Sequence, residues 1–123
     1  AVRHIDVGAT ALALAYSPDG RSLATGDDKR MVQLWTAADG SRAAAPLVGH
    51  ESSVYGVAFS RDGRRLVSGD TDDRIALWDV TAARQVGGTR TGGTTLAVSP
   101  DGSTVATYVA NSSVLLLSPT AAF

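Results

Sequence analysis

The sequence predicts an all-β fold built from repeated four-stranded antiparallel sheets. Two observations carry this. The chain repeats itself with a period of about 40 residues, the mark of a repeat architecture. Within each repeat, short apolar runs are broken by explicit turn residues, and no segment holds a helical period over about 11 residues.

Three stretches align without a gap: AYSPDGRSLATGDDKRMVQLW from Ala15, AFSRDGRRLVSGDTDDRIALW from Ala58 and AVSPDGSTVATYVANSSVLLL from Ala97. The offsets are 43 and 39 residues. Repeats of roughly 1–42, 43–83 and 84–123 follow, together filling one domain.

By the strand order of the repeats, the chain begins with an outer strand, Val2 to Asp6. Ala11 to Ala15 suits a helix by propensity, but its counterpart Val54 to Ala58 does not, so both are assigned as strands. Ala43 to Val48 is a weak, polar-flanked strand. Val54 to Phe59 is apolar on both faces and belongs in the core. Arg65 to Ser68 and Arg74 to Trp78 alternate, as half-buried strands do. Arg84 to Gly88 and Val114 to Leu117 complete the set. Asp19-Gly20, Asp62-Gly63 and Asp101-Gly102 tolerate positive φ at hairpin tips. Pro18 and Pro100 preset φ at turn positions that need no ladder donor.

The 123 residues are 44% hydrophobic, enough for a core. The net charge of −1 gives no global field toward nucleic acid or an anionic membrane. Without cysteine there is no disulfide, thiolate metal site or cysteine nucleophile. Lys29 and Glu51 are the only lysine and glutamate, and with abundant Ala, Gly and Arg this resembles the bias of GC-rich bacterial genes. No apolar run approaches the ~18 residues of a membrane span. The first residues lack a signal-peptide core. The missing initiator Met suggests a piece of a longer protein, and a cytoplasmic location is expected.

SPDGRSLATG and SRDGRRLVSG, followed by LW and LWD, with Gly49-His50 ahead of the second, resemble WD40 repeats. The resemblance covers essentially the whole chain. It implies three four-stranded antiparallel blades forming a partial β-propeller, the last incomplete unless another chain completes it. It also implies a hydrogen-bonded chain of His50, Ser68, Asp72 and Trp78 in the second blade, leaving Asp70 and Asp73 to turn and surface. The chemistry is sound: a buried indole N–H needs an acceptor, a hydroxyl relays to imidazole, and a carboxylate fixes the tautomer. The aligned positions elsewhere are Val7, Thr25, Lys29 and Trp35, with Asp28 one residue early, and Thr89, Thr107, Asn111 and Leu117. Only the middle blade holds the full set.

Ser68, His50 and Asp72 also resemble a catalytic triad. A nucleophilic serine needs an exposed, strained position and an oxyanion hole, and Ser68 lies within a strand. Asp70 to Asp73 is too short for a calcium loop and lacks its Gly and Glu. His4 and His50 have no matching zinc ligands. Gly87-Gly88 and Gly92-Gly93 lack the strand-then-helix setting of a phosphate cradle. Asn111-Ser112-Ser113 is a glycosylation sequon that a turn asparagine explains equally well. No catalytic residue, metal or cofactor is expected.

The family resemblance implies a scaffold that presents loops to a protein or peptide. The contact positions it implies are Thr10, Leu12, Asp28, Ser53, Tyr55, Thr71 and Thr94, with Gly92 and Ala110 beside them. Tyr55 offers apolar area with a polar tip. In bacteria such repeats resemble docking parts of larger signalling proteins. The alternatives are a propeller-hosted hydrolase and a structural assembly unit. Three blades leave two faces open, since single-chain propellers carry about four to eight. Further blades from the parent protein, or copies joined head to tail, would close the ring; two copies give six blades and three give nine.

Overall fold

The computed structural model describes residues 2, 4–90, 96–101, 103–109 and 113–118, with only the backbone at 108 and 109. Eleven strands form three antiparallel sheets and no helix occurs among the described residues. The first sheet is β1 (Ala11–Tyr16), β2 (Ser22–Asp27), β3 (Met31–Thr36) and β4 (Leu47–Val48), paired in chain order. The second is β5 (Val54–Phe59), β6 (Arg65–Asp70), β7 (Arg74–Asp79) and β8 (Arg84–Arg90). The third is β9 (Leu96–Val98), β10 (Val105–Val109) and β11 (Ser113–Leu117), with β11 at its edge. These are the blades of a partial β-propeller, and the sheets remain open.

The turn chemistry repeats three times. Ser17, Ser60 and Ser99 each donate a hydroxyl bond to the aspartate two residues on, Asp19, Asp62 and Asp101, at 2.6, 2.6 and 2.7 Å. The same carboxylates accept the backbone N–H of Arg21, Arg64 and Ser103. Gly20 and Gly63 then take φ of +73° and +74°, a conformation that a Cβ would strain. Bonds from Ser99 and Ser103 hold the Asp101 carboxyl down at about 2.

The outer strands differ from expectation. Val2 and His4 to Asp6 lie in no strand. Ala43 to Val48 shrinks to Leu47–Val48 plus one bridge between Trp35 and Arg42. Pro46 supplies no ladder donor, which shortens the pairing. The strand expected over Arg84 to Gly88 runs on to Arg90. Both cores lie between sheets. Ala24, Val32 and Leu34 of the first pack against Val57, Phe59, Leu66 and Trp78 of the second. Ala58, Val67, Ile75 and Leu77 of the second pack against Val105, Leu96 and Leu117 of the third. Blade two is therefore buried on both faces.

Candidate functional site

Two constellations matter: the brace inside blades one and two and the rim where the inner strands begin. In blade two, the Trp78 Nε1–H donates to Ser68 Oγ at 2.7 Å. Ser68 Oγ lies 2.5 Å from His50 Nε2, and His50 Nδ1 lies 2.7 Å from Asp70 Oδ2. Nδ1–H must donate to the carboxylate, so Nε2 accepts the serine proton and every polar group is satisfied. The imidazole leans over the indole, with centroids 6.1 Å apart.

The acid in this chain is Asp70, not Asp72. Side chains on a strand alternate, so Ser68 and Asp70 share the face that carries Trp78. Asp72 lies in the following turn, exposed, paired with Arg74 and Arg90. Asp70 is completely buried. Its Oδ2 meets His50, while Oδ1 accepts the backbone N–H of Asp72 at 2.8 Å and Arg74 at 3.1 Å. One carboxylate thus closes the turn and anchors the brace. Burial pushes the Asp70 carboxyl up, but the bonds from His50, Arg74 and Asp72 outweigh it and hold it below the ordinary range. Asp73 sits in the same turn at φ +61°.

Blade one reaches the same end with other residues. Trp35 Nε1–H donates to Thr25 Oγ1 at 3.0 Å. Asp27, also fully buried, occupies the position of Asp70, and its Oδ1 accepts the N–H of Lys29 and Met31. Neither Lys29 nor Asp28 supplies the acid. Gln33 supplies the aspartate's side-chain donor: its Nε2 donates to Asp27 Oδ2 at 3.2 Å and to the Val7 carbonyl at 3.0 Å. Arg42 donates to Gln33 Oε1 at 2.6 Å and lays its guanidinium 5.1 Å from the Trp35 ring centre. The exchange is reciprocal. Blade two has His50 with Ala76, and blade one has Val7 with Gln33.

Blade three has no brace among its described residues. Thr107 is buried and its hydroxyl has no partner there. Leu117 stands where the other blades carry tryptophan, and Val109 where they carry aspartate. Thr89 pairs with Ile75 in the β7–β8 ladder, and Asn111 lies outside the described residues.

At the rim, Thr10 and Asp28 meet twice: Thr10 N–H donates to Asp28 Oδ1 and Asp28 N–H to the Thr10 carbonyl, both at 3.1 Å. Thr71 N–H donates to the Ser53 carbonyl at 3.0 Å. The β1–β2 register slips between Ala11 and Ala13, and the β5–β6 register between Val54 and Gly56. Leu12 and Tyr55 are the bulged residues, and bulges re-aim side chains at strand ends. Tyr55 is half exposed at 47%. Thr94, Gly92 and Ala110 lie outside the described residues. The bulges were not foreseen; the Gly56 that follows Tyr55 is the one signal for them, and Ala13 in blade one carries none.

A family model described as "WD domain, G-beta repeat" matches residues 4–36 and 42–79, more than half of the chain. The chain belongs to the WD40 family. WD40 propellers are generally non-catalytic interaction scaffolds. No curated protein matches the sequence. Among 1007 matching solved chains is the β-propeller domain of Cps50 (Swd1) from Myceliophteria thermophila, at TM-score 0.81 and 19% identity. The match covers 99% of this chain and 39% of that one. It shows the fold alone.

Ser68 is fully buried and already receives the indole proton. This serine, histidine and aspartate form a buried hydrogen-bonded network with Trp78. Among the described residues no cluster of His, Asp or Glu could hold a metal ion. No helix there is long and apolar enough to cross a membrane.

Proposed function

We propose that this WD40 chain is a non-catalytic scaffold of a bacterial signalling protein in the cytoplasm, binding a protein or peptide at the rim of its inner strands. Its repeats divide at about 42/43 and 83/84. The observation that carries the reading is Tyr55, bulged outward and half exposed above the blade with the most complete brace. Ser53, Thr71, Thr10 and Asp28 surround the strand starts and hold one another by the bonds above, so the rim is preorganised. Leu12 adds apolar area beside it, and Thr94 belongs to the same set by alignment.

A peptide array probed with the chain tests this. Tyr55→Ala should weaken capture at least tenfold, since aromatic anchors cost about 2 kcal/mol or more on truncation. Its urea midpoint should stay unchanged, because the side chain is outside the core. Binding indifferent to Tyr55, Thr10 and Asp28 substitutions would refute the rim. Labelling of Ser68 by a fluorophosphonate would refute the non-catalytic part.

A further inference from the structure

The arginines of blade two fall into two groups at opposite ends of its strands. At the rim end, Arg74 pairs with Glu51 and Asp72, and Arg90 pairs with Asp72. At the hairpin-tip end stand Arg61, Arg64, Arg65 and Arg84. Their guanidinium groups make no hydrogen bond or ion pair among the described residues. The carboxylates at this end are each bound into a turn. Asp62 accepts from Ser60 and the Arg64 N–H, Asp101 from Ser99 and Ser103, and Asp79 from the Ala82 N–H. Arginine forks onto carboxylates, so four without partners at one end of one sheet form a surface ready for them.

The strand register sets these arginines in a row. Arg65 lies opposite Asp79 and Asp79 opposite Arg84, so the three share one face of the sheet. Val67 and Leu77 on that face pack against blade three. Arg61, in the β5–β6 turn, stands close enough to Asp101 of blade three to act on its carboxyl. The row thus runs outward from β5 to β8, roughly 15 Å at the usual strand spacing. Its inner end opens on an apolar notch of about 230 Å³ lined by Pro18, Ala58, Phe59, Val98 and Pro100. Val98 holds the repeat position of Phe59, yet it is 41% exposed where Phe59 is 5% exposed. The strand beside it, β5, is in place, so the space comes from the smaller side chain and not from a missing neighbour. Blade two has a blade against each face, so the row and the notch are formed within the chain.

We propose that the hairpin-tip end of blade two binds a short, extended acidic peptide. An apolar side chain of the peptide enters the notch at Val98, and its carboxylates meet Arg61, Arg65 and Arg84. Arg65 and Arg84 stand two strands apart, roughly 10 Å, the reach of about three extended residues. Acids at i and i+3 therefore engage both. Asp79 lies between the two arginines and disfavours an acid at the positions in between. Asp62, Asp79 and Asp101, interleaved with the arginines, also disfavour a continuous chain of phosphates. The surface is at the opposite end of the inner strands from Tyr55, so it stands or falls apart from the docking site above.

Fluorescence anisotropy of a labelled Gly-Leu-Glu-Glu-Ser-Ser-Glu-Glu peptide, titrated with the chain, tests it. Binding should saturate and should weaken as NaCl rises from about 50 to about 300 mM. Arg61→Gln, Arg65→Gln and Arg84→Gln together should weaken it at least about tenfold, as three exposed charge pairs are lost. Arg74→Gln with Arg90→Gln removes charge from the other end of the same blade and should change it less than about twofold. Replacing the peptide's leucine by serine should weaken binding about tenfold. Val98→Phe fills the notch as Phe59 does and should make that replacement silent. Far-ultraviolet circular dichroism confirms that each variant is folded, and the peptide change tests the notch without altering the chain. No saturation by about 1 mM, full binding in the triple variant, or an equal loss in the Arg74 and Arg90 pair would overturn the proposal. Tighter binding of an oligouridylate of the same length would overturn it as well.

Discussion

Blade two links its tryptophan and serine to a buried aspartate through a histidine delivered by the preceding loop, whereas in blade one a glutamine from the tryptophan's own strand bonds the aspartate directly. The common part is smaller than the four-residue chain suggested. It is a hydroxyl under the indole and, two residues later on the same face, a buried aspartate: Thr25 with Asp27, Ser68 with Asp70. The aspartate serves twice, closing the turn with one oxygen and receiving a side-chain donor with the other. The donor comes from one of two positions: His50, with Ala76 at the other, or Gln33, with Val7 at the other. Blade three carries Val109 and Leu117 at the aspartate and tryptophan positions, and its threonine hydroxyl is buried without a partner among the described residues.

The largest expected difference follows from how many buried groups each side chain satisfies. His50→Ala leaves the buried Asp70 carboxylate without its side-chain donor and the Ser68 hydroxyl without its acceptor, and should cost about 4 kcal/mol in urea unfolding. Gln33→Ala removes one donor from Asp27 and should cost about 2 kcal/mol. Equal losses would erase the distinction between the blades. A rescue sharpens it: His50→Val with Ala76→Gln rebuilds the blade-one arrangement and should recover part of the His50→Ala loss.

Acid reads the same carboxylate. Because Asp70 is held below its ordinary value when folded, its contribution is fully present above about pH 4. It is lost as pH falls through the lowered value. Thermal unfolding should therefore steepen its decline below about pH 4. Asp70→Asn should flatten that limb, and an unchanged limb would place the acid sensitivity elsewhere. A smaller effect is expected in blade three. Thr107→Val removes an unsatisfied buried hydroxyl at nearly constant volume and should raise stability by up to about 1 kcal/mol. A loss would mean that the hydroxyl has a partner.

The repeat, the strand order and the hairpin tips were legible because they rest on local chemistry: Ser-x-Asp-Gly turns and alternating runs. Ser68, His50 and Trp78 were legible from the motif spacing. The acid was not, because three aspartates crowd the turn and the resemblance pointed to Asp72. Strand alternation from Ser68 singles out Asp70, and Gly-Asp recurs at Gly26-Asp27 and Gly69-Asp70. Gln33 could not be read, since its role depends on reaching the Val7 carbonyl across the fold. The outer strands were blurred by Pro46 and by Gly87-Gly88, where pairing is decided by neighbours and not by pattern.

Asp70→Ala and Asp72→Ala, unfolded side by side in urea, test the brace most directly. Loss of the Asp70 side chain should cost about 3–5 kcal/mol by stranding a buried imidazole and two backbone donors. Loss of the exposed Asp72, with its surface pairs to Arg74 and Arg90, should stay within about 0.5 kcal/mol. A larger loss at Asp72, or equal losses at both, would contradict the account.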